Sequence, residues 1–195
     1  MKATHMRVMD LYRWSGISGI VAGGLNVIVE LLPERIGQPL DLLVNILGLW
    51  VLTALYLRQR EASGVFGFIA YIIKSLGMAL VVGFLFTQAF VLTGLEPAQK
   101  SAVLAGPAGL ATIIALAIVT VGAVLFGIAT LRAGVFPKWA ALLLMIGFVM
   151  APLGGVVPHI VKSTGEVILS VGLIGLSYAL ITSTGGEKSI RLISD

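Results

Sequence analysis

The longest apolar stretch of the sequence indicates the fold class. It reads SGVFGFIAYIIKSLGMALVVGFLFTQAFVLTGL over residues 63–95 and contains a single charged residue, Lys74. A helix rises about 1.5 Å per residue, so this stretch exceeds the ~30 Å hydrocarbon core of a bilayer. It predicts a transmembrane helix that tilts, bends near Gly77 or Gly83, or projects beyond the lipid.

The composition of the whole chain agrees with a membrane environment. Its 195 residues are 58% hydrophobic and 11% charged, and the mean hydropathy is +1.05. A soluble domain carries about 25% charged residues, and nine acids with thirteen bases cannot cover a soluble globule of this size. We therefore expect an all-α polytopic membrane protein, with residues 1–195 forming one transmembrane domain and the lipid bilayer as its main partner.

Short polar breaks divide the sequence into six apolar runs, which predict a six-transmembrane-helix bundle. Pro33 ends the first run, Pro152 predicts a kink or an early end in the fifth, and Gly185 and Gly186 are expected to release the chain after the sixth. The predicted helices cover approximately residues 11–32, 40–57, 63–94, 108–131, 138–157 and 159–181.

The distribution of basic residues predicts the orientation. Nine of the thirteen lie in alternate segments, namely the two termini and the breaks after the second and fourth runs, whereas only Arg35, Lys100 and Lys162 lie on the opposite side. Positively charged loops face the cytoplasm. We therefore expect cytoplasmic N and C termini in a multi-pass protein of the cytoplasmic (inner) membrane. The nine are Lys2, Arg7, Arg13, Arg58, Arg60, Arg132, Lys138, Lys188 and Arg191.

Small residues recur at every fourth position in three of the runs. Such stripes allow helices to approach closely in lipid, where the hydrophobic effect does not drive helix association. Tight packing within the chain is the favoured interpretation, and a homo-oligomer contact through one stripe is the alternative. The stripes are Ser15, Gly19 and Gly23; Ser75, Ala79 and Gly83; and Gly147, Ala151 and Gly155.

Lys74 leads the candidates for a functional site, because charged groups inside a membrane are costly. It lies about 20 Å beyond Glu61 along a helix, so it should face the bundle interior and either have a partner or be neutral. Asn26 and Glu30 share one face of the first helix, and Asn45 should lie at a similar depth. Glu30 is the acid expected to pair with Lys74 directly. The pair fixes helix packing, belongs to a ligand or proton site, or contacts a missing subunit.

The sixth run carries a second polar stripe. Its members recur at spacings that place them along one side of a helix, and Lys162 can pair with Glu166 one turn further on. The stripe predicts a polar seam, a cavity or a contact with a missing subunit, and an interfacial rim also accounts for Lys162. One hypothesis is that Lys74, Glu30 and Glu166 line a single outward-facing cavity. The stripe comprises His159, Ser163, Glu166, Ser170 and Ser177.

Several functional classes are disfavoured. The absence of cysteine excludes disulfides, thiolate metal sites and iron–sulfur clusters, and a single histidine near the membrane excludes bis-histidine haem. We expect no metal and no cofactor. No recognisable catalytic motif is present, so an enzyme is the less favoured class. The basic residues occur singly or in pairs, which argues against nucleic acid as a partner.

Three stretches resemble a family of uncharacterised six-helix bacterial integral membrane proteins. They are residues 13–17 (RWSGI), residues 44–71 with the charged segment after Leu57, and residues 134–140 (GVFPKWA) with the following run. The resemblance implies a fold but no activity. Such proteins often place an arginine and an acid within the third helix, whereas here Ser75 follows Lys74.

Three functions remain open from the sequence. The first is a small solute or proton-coupled carrier with a polar site in mid-membrane, formed by Lys74, Glu30 and Glu166. The second is a structural or regulatory subunit of a membrane complex. The third is a protein that binds a lipid or another hydrophobic ligand in a groove beside the long third helix.

Overall fold

The computed structural model describes the backbone of residues 2–151 and 159–194, and the side chains of residues 10–151 and 160–182. Within those ranges the protein is all-helical, without strands. A 3-10 turn, Leu92–Gly94, follows the second helix. The helices are α1 Lys2–Val29, α2 Glu34–Phe90, α3 Pro97–Ala105, α4 Pro107–Ala133, α5 Lys138–Met150 and α6 His159–Ser194.

Helix α2 is a hairpin of two arms, covering residues 34–63 and 65–90. Its backbone leaves helical geometry at Gly64, with φ 56° and ψ −151°, where a residue without Cβ is favoured. In a straight helix Thr53 and Tyr71 would lie about 27 Å apart, yet their hydroxyl groups are 3.2 Å apart. The rings of Tyr56 and Tyr71 are also stacked, at 4.4 Å between centroids. The chain therefore reverses direction at Gly64, and the two arms pack side by side.

Glycines bring neighbouring segments into close antiparallel contact. Gly19 and Gly23 of α1 face Ser177 and Ile174 of α6, so α1 and α6 run in opposite directions. Gly147 of α5 lies against the backbone of α6 at Leu169. These contacts involve the small-residue stripe of α1 and the described part of the stripe that begins at Gly147 in α5. Both pack within the chain. The remaining stripe differs, because Ala79 and Gly83 are exposed and a Cβ at Gly83 would meet no atom within 4 Å.

The surface of the protein is apolar, and many of its polar side chains are inside. Large aliphatic side chains point outward along every long helix, for example Leu76 on α2 and Ile113 on α4, which are 54% and 66% exposed. Lys74, Gln59 and Ser177 are buried. Three described helical segments are long and apolar enough to cross a membrane, namely Glu34–Gly94, Pro107–Ala133 and Ile160–Thr182. This distribution is the one expected of a protein whose solvent is lipid.

Several helices extend beyond the predicted apolar runs, whereas the second arm of α2 and helix α5 end earlier than predicted, at Phe90 and Met150. Helix α1 begins at Lys2 instead of residue 11, α2 at Glu34 instead of residue 40, and α6 continues past Thr182 to Ser194. The expected break after residue 57 is also helical, up to the reversal at Gly64. These predictions were wrong because apolar runs indicate where lipid lies, whereas helical hydrogen bonding continues through polar residues and tolerates glycine at about 1 kcal/mol.

The middle of the chain also differs from the sequence predictions. The bend expected near Gly77 or Gly83 is absent, since the one described non-helical residue within α2 is Gly64. Helix α3 was not predicted at all. Its start is fixed by Pro97 at the first turn and by the backbone N–H of Glu96, which donates to Gln99 Oε1 at 3.1 Å. Helix α5 ends at Met150, two residues before Pro152, and residues 152–158, including Gly155, lie outside the described part.

Candidate functional site

A cavity of about 450 Å³ lies between the helices, and five of the six helices contribute to its wall. Asn26 comes from α1, Asp41 and Lys74 come from the two arms of α2, and Glu166 comes from α6. The rest of the wall is mostly aliphatic and aromatic. A cavity of this size with few polar groups is typical of sites for small organic molecules. The apolar part of the wall includes Val44, Leu52, Leu55, Met78, Phe84, Val119, Phe126, Leu144, Phe148 and Leu169.

Lys74 is fixed by close contact between the second arm of α2 and α4. A Cβ built on Gly122 would lie 2.5 Å from Lys74 Cα, so α4 presents a bare backbone to this residue. Gly77 makes the reciprocal approach to Val119. The Lys74 side chain is 2% exposed, and its Nζ lies 3.3 Å from the ring centroid of Phe148. No hydrogen-bond partner for Nζ is present among the described residues.

A hydrogen-bonded cluster forms the polar part of the cavity wall. Asn26 Nδ2 donates to Glu166 Oε2 at 3.0 Å and to Ser170 Oγ at 3.1 Å, which connects α1 to α6. Asn45 Nδ2 donates to Asp41 Oδ1 at 2.9 Å within the first arm of α2. Charge-assisted hydrogen bonds of this kind are roughly twice as strong as neutral ones. The two carboxyl groups are thereby held in position around the cavity.

An ion pair lies next to this cluster. Lys162 Nζ is 2.7 Å from Glu30 Oε1, and Ser163 Oγ donates to Glu30 Oε2 at 3.2 Å. The expected direct pair between Glu30 and Lys74 is therefore wrong, as is pairing of Lys162 with Glu166. The reason is the position of α6 around α1: their antiparallel packing places Lys162 beside Glu30.

The polar groups of the cavity lie toward one end of the helices. Glu30 follows the last residue of α1, Asp41 lies early in the first arm of α2, and Glu166 lies early in α6. Gln88 at the end of the second arm also lines the cavity. Because neighbouring segments run antiparallel, these positions fall at the same end. Lys74 lies deeper, about 14 Å along the helix axes from the level of Asp41, judged from the pairing of the two arms.

The structure brings most of the predicted site residues together. Lys74, Asn26, Asn45 and Glu166 line the one cavity, whereas Glu30 lies beside it through its pair with Lys162. The other candidate, His159, begins α6, and its side chain lies outside the described residues.

Two important side chains were missed from the sequence. Asp41 lies at the edge of an apolar run, where an acid is normally in contact with water, although its spacing of four from Asn45 was a usable signal. Phe148 gave no signal, because one aromatic residue in an apolar helix does not stand out.

The fold and the cavity define a class of protein: an all-helical protein with membrane-length apolar helices and an internal cavity that carries a buried lysine. No group of three or more His, Asp or Glu residues that could hold a metal ion occurs in the part of the chain that the structure describes. Comparison with protein-family models, with curated proteins and with solved structures found no match to this chain.

Proposed function

We propose that the protein is a small carrier of the bacterial cytoplasmic membrane, and that the central cavity is its solute site. Six apolar segments cross the membrane in this proposal: α1, the two arms of α2, α4, α5 and α6. Both termini face the cytoplasm. The observation that carries the proposal is the cavity itself, whose wall includes Lys74 together with Asp41 and Glu166.

The arrangement of the helices supports six crossings. Each apolar segment is antiparallel to the neighbours with which it makes glycine contacts, as expected when short connections join consecutive crossings. The hairpin at Gly64 places Arg58 and Arg60 at the end where the termini lie, and the polar part of the cavity faces the opposite end. In the proposed orientation, which follows the bias of basic residues toward one side, the polar cluster faces outward.

The polar cluster supports coupling of transport to protons. Glu166 receives a hydrogen bond from the amide of Asn26, and Asp41 receives one from Asn45. Carboxyl groups at the outer end of a membrane cavity can take up and release protons there, and such groups are typical of proton relays in transporters. Glu166 lies on α6, where a change in its charge would be transmitted to Asn26 on α1.

A flux assay tests the carrier. Two probes share a butylphenyl body and end in a sulfonate or a trimethylammonium group, so neither crosses lipid as a neutral species. Proteoliposomes with a pH gradient are expected to take up one of these probes about tenfold faster than protein-free liposomes. Uptake is measured by filtration and mass spectrometry. Glu166→Gln should abolish the dependence on the pH gradient, because the amide keeps the shape of the side chain but cannot bind or release a proton.

Glu34→Gln is the matched control for this assay, since Glu34 is exposed at the start of α2 and does not line the cavity. It should transport like the unmodified protein. Absence of uptake of both probes would count against the carrier. Binding without uptake would favour the second candidate, a protein that binds a lipid or another hydrophobic ligand, for which the mostly apolar cavity wall is the supporting observation.

Cysteine labelling tests the six crossings and the orientation. The chain contains no cysteine, so single cysteines can be introduced without removing others. Ala62, Ala98 and Val135 are exposed positions near the ends of helices. In spheroplasts, a membrane-impermeant maleimide is expected to label Ala98→Cys but neither Ala62→Cys nor Val135→Cys. Permeabilised cells, in which all three should react, are the control. Labelling of Ala62→Cys in intact spheroplasts would contradict the proposed topology.

A further inference from the structure

The amine of Lys74 lacks a partner that its chemistry requires. A lysine ammonium offers three hydrogen-bond donors. The Phe148 ring, 3.3 Å away, supplies a cation–π contact but no acceptor oxygen, and no hydrogen-bond acceptor is present among the described residues. A buried polar group without a partner is costly, and a buried charge is more so. Among the residues that the structure describes, the site of Lys74 is thus incomplete.

The carboxyl groups of the protein that lie around the cavity are committed elsewhere. Glu30 is paired with Lys162, Asp41 accepts from Asn45, and Glu166 accepts from Asn26. None of them forms an ion pair with Lys74. The wall beside the lysine consists of apolar side chains such as Met78, Val119 and Phe126, which offer a water molecule too few polar partners to hold it. An acceptor for Lys74 therefore has to enter with a ligand.

We infer that the ligand of this cavity is an organic monoanion with an apolar body, whose carboxylate or sulfonate-type oxygens bind Lys74 Nζ. This inference rests on the proposed function and names the class of its solute. The anionic group binds at the deep end of the cavity, and the apolar body lies along Met78, Phe148 and Leu169. The Phe148 ring covers the lysine and the body of the ligand together.

The shape and charge of the cavity restrict the ligand further. The volume of about 450 Å³ lies in the range of cavities that bind small organic molecules. The other polar end carries the carboxyl groups of Asp41 and Glu166 together with Lys162, whose ammonium is already paired with Glu30. The two carboxyl groups repel a second acidic group on the ligand. The site therefore selects a single negative charge at one end of a small apolar molecule, against dianions such as dicarboxylates.

Binding of three probes that differ only in their terminal group tests this inference. The probes carry a butylphenyl body with a sulfonate, a hydroxyl or a trimethylammonium group, and binding to the purified protein in nanodiscs is measured by isothermal titration calorimetry against empty nanodiscs. The sulfonate is expected to bind at least about tenfold more tightly than the alcohol, the difference that one charge-assisted hydrogen bond provides. The trimethylammonium probe should bind most weakly. This order is measured on the unmodified protein and requires no variant.

Lys74→Met should reduce the preference for sulfonate over alcohol to about one while the alcohol still binds. Lys138→Met, at an exposed position outside the cavity, should keep the preference. Equal binding of sulfonate and alcohol, or tightest binding of the trimethylammonium probe, would overturn the inference and leave the carrier proposal standing. Absence of binding and of uptake for every probe would overturn both.

Discussion

Replacement of Lys74 by methionine is expected to stabilise the protein while it removes the preference of the cavity for anions. The two side chains are similar in length and shape. The lysine amine is buried without a hydrogen-bond acceptor among the described residues, beside Phe148 and the apolar wall. Methionine removes this buried polar group and keeps most of the packing. Lys74 thus contributes to binding at the expense of stability.

The expected gain in the free energy of unfolding is about 1–3 kcal/mol, the usual cost of one unsatisfied buried polar group. For a chain of 195 residues this corresponds to an increase of several degrees in the unfolding midpoint, at roughly 2–4 °C per kcal/mol. The measurement is thermal unfolding of the protein in one detergent, followed by tryptophan fluorescence. At one fixed concentration, the sulfonate probe should raise the midpoint of the unmodified protein more than that of Lys74→Met, which binds it only as well as the alcohol.

Lys138→Met separates this effect from a general consequence of losing a cation. Lys138 is exposed at the start of α5, and its replacement should change the midpoint little. A lower unfolding midpoint for Lys74→Met, with unchanged binding and uptake, would identify Lys74 as a packing residue and contradict its role in the cavity.

The sequence predicted the class of fold because the hydropathy of a segment depends only on the residues it contains and not on how the helices pack. The apolar runs coincide with the cores of α1, α4, α5 and α6 and with the two arms of α2. The reversal between the arms was correctly expected after the charged segment near residue 60. Its position at Gly64 was not predicted, since a single glycine among several in an apolar run gives no signal until the contacts between the arms are known.

Most of the candidate residues lie near one another in the structure, but their hydrogen-bond and ion-pair partners differ from those that were predicted. Depth along a helix can be counted in residues, and Lys74, Asn26, Asn45 and Glu166 line one cavity in the structure, whereas Glu30 lies beside it. The partner of each residue depends on how every helix is rotated and which helices are neighbours. Depth along the helices suggested Lys74 as the ion-pair partner of Glu30. The packing of α1 on α6 instead places Glu30 beside Lys162, with which it pairs. Neither the rotation of a helix nor the identity of its neighbours can be read directly from the sequence.

The contact between the second arm of α2 and α4 sets the position of Lys74, and Gly122→Ala is expected to disturb it. A Cβ at residue 122 would lie 2.5 Å from both N and Cα of Lys74 and 3.0 Å from the carbonyl carbon of Ile73. These are backbone atoms, which cannot move aside as the end of a flexible side chain can. The two segments must therefore separate, and the lysine shifts away from Phe148.

The expected cost is about 1–3 kcal/mol of stability, typical of overpacking in a well-packed interior. Affinity for the sulfonate probe should fall more than affinity for the alcohol, because the shift moves the amine more than the apolar wall. Thermal unfolding and calorimetric titration of the same preparation measure the two effects.

Gly83→Ala is the matched control, since it makes the same change from glycine to alanine in the second arm of α2, the arm that carries Lys74, at a position where a Cβ would meet no atom within 4 Å. That substitution should be neutral or should stabilise the helix by about 0.4–1 kcal/mol, because alanine restricts the unfolded chain. Equal effects of the two substitutions would mean that Gly122 does not hold Lys74 in place. A loss confined to Gly122→Ala, with a lower preference for the anion, would show that the close approach of α4 positions the amine. Backbone packing would then contribute to binding at a residue that itself contacts no ligand.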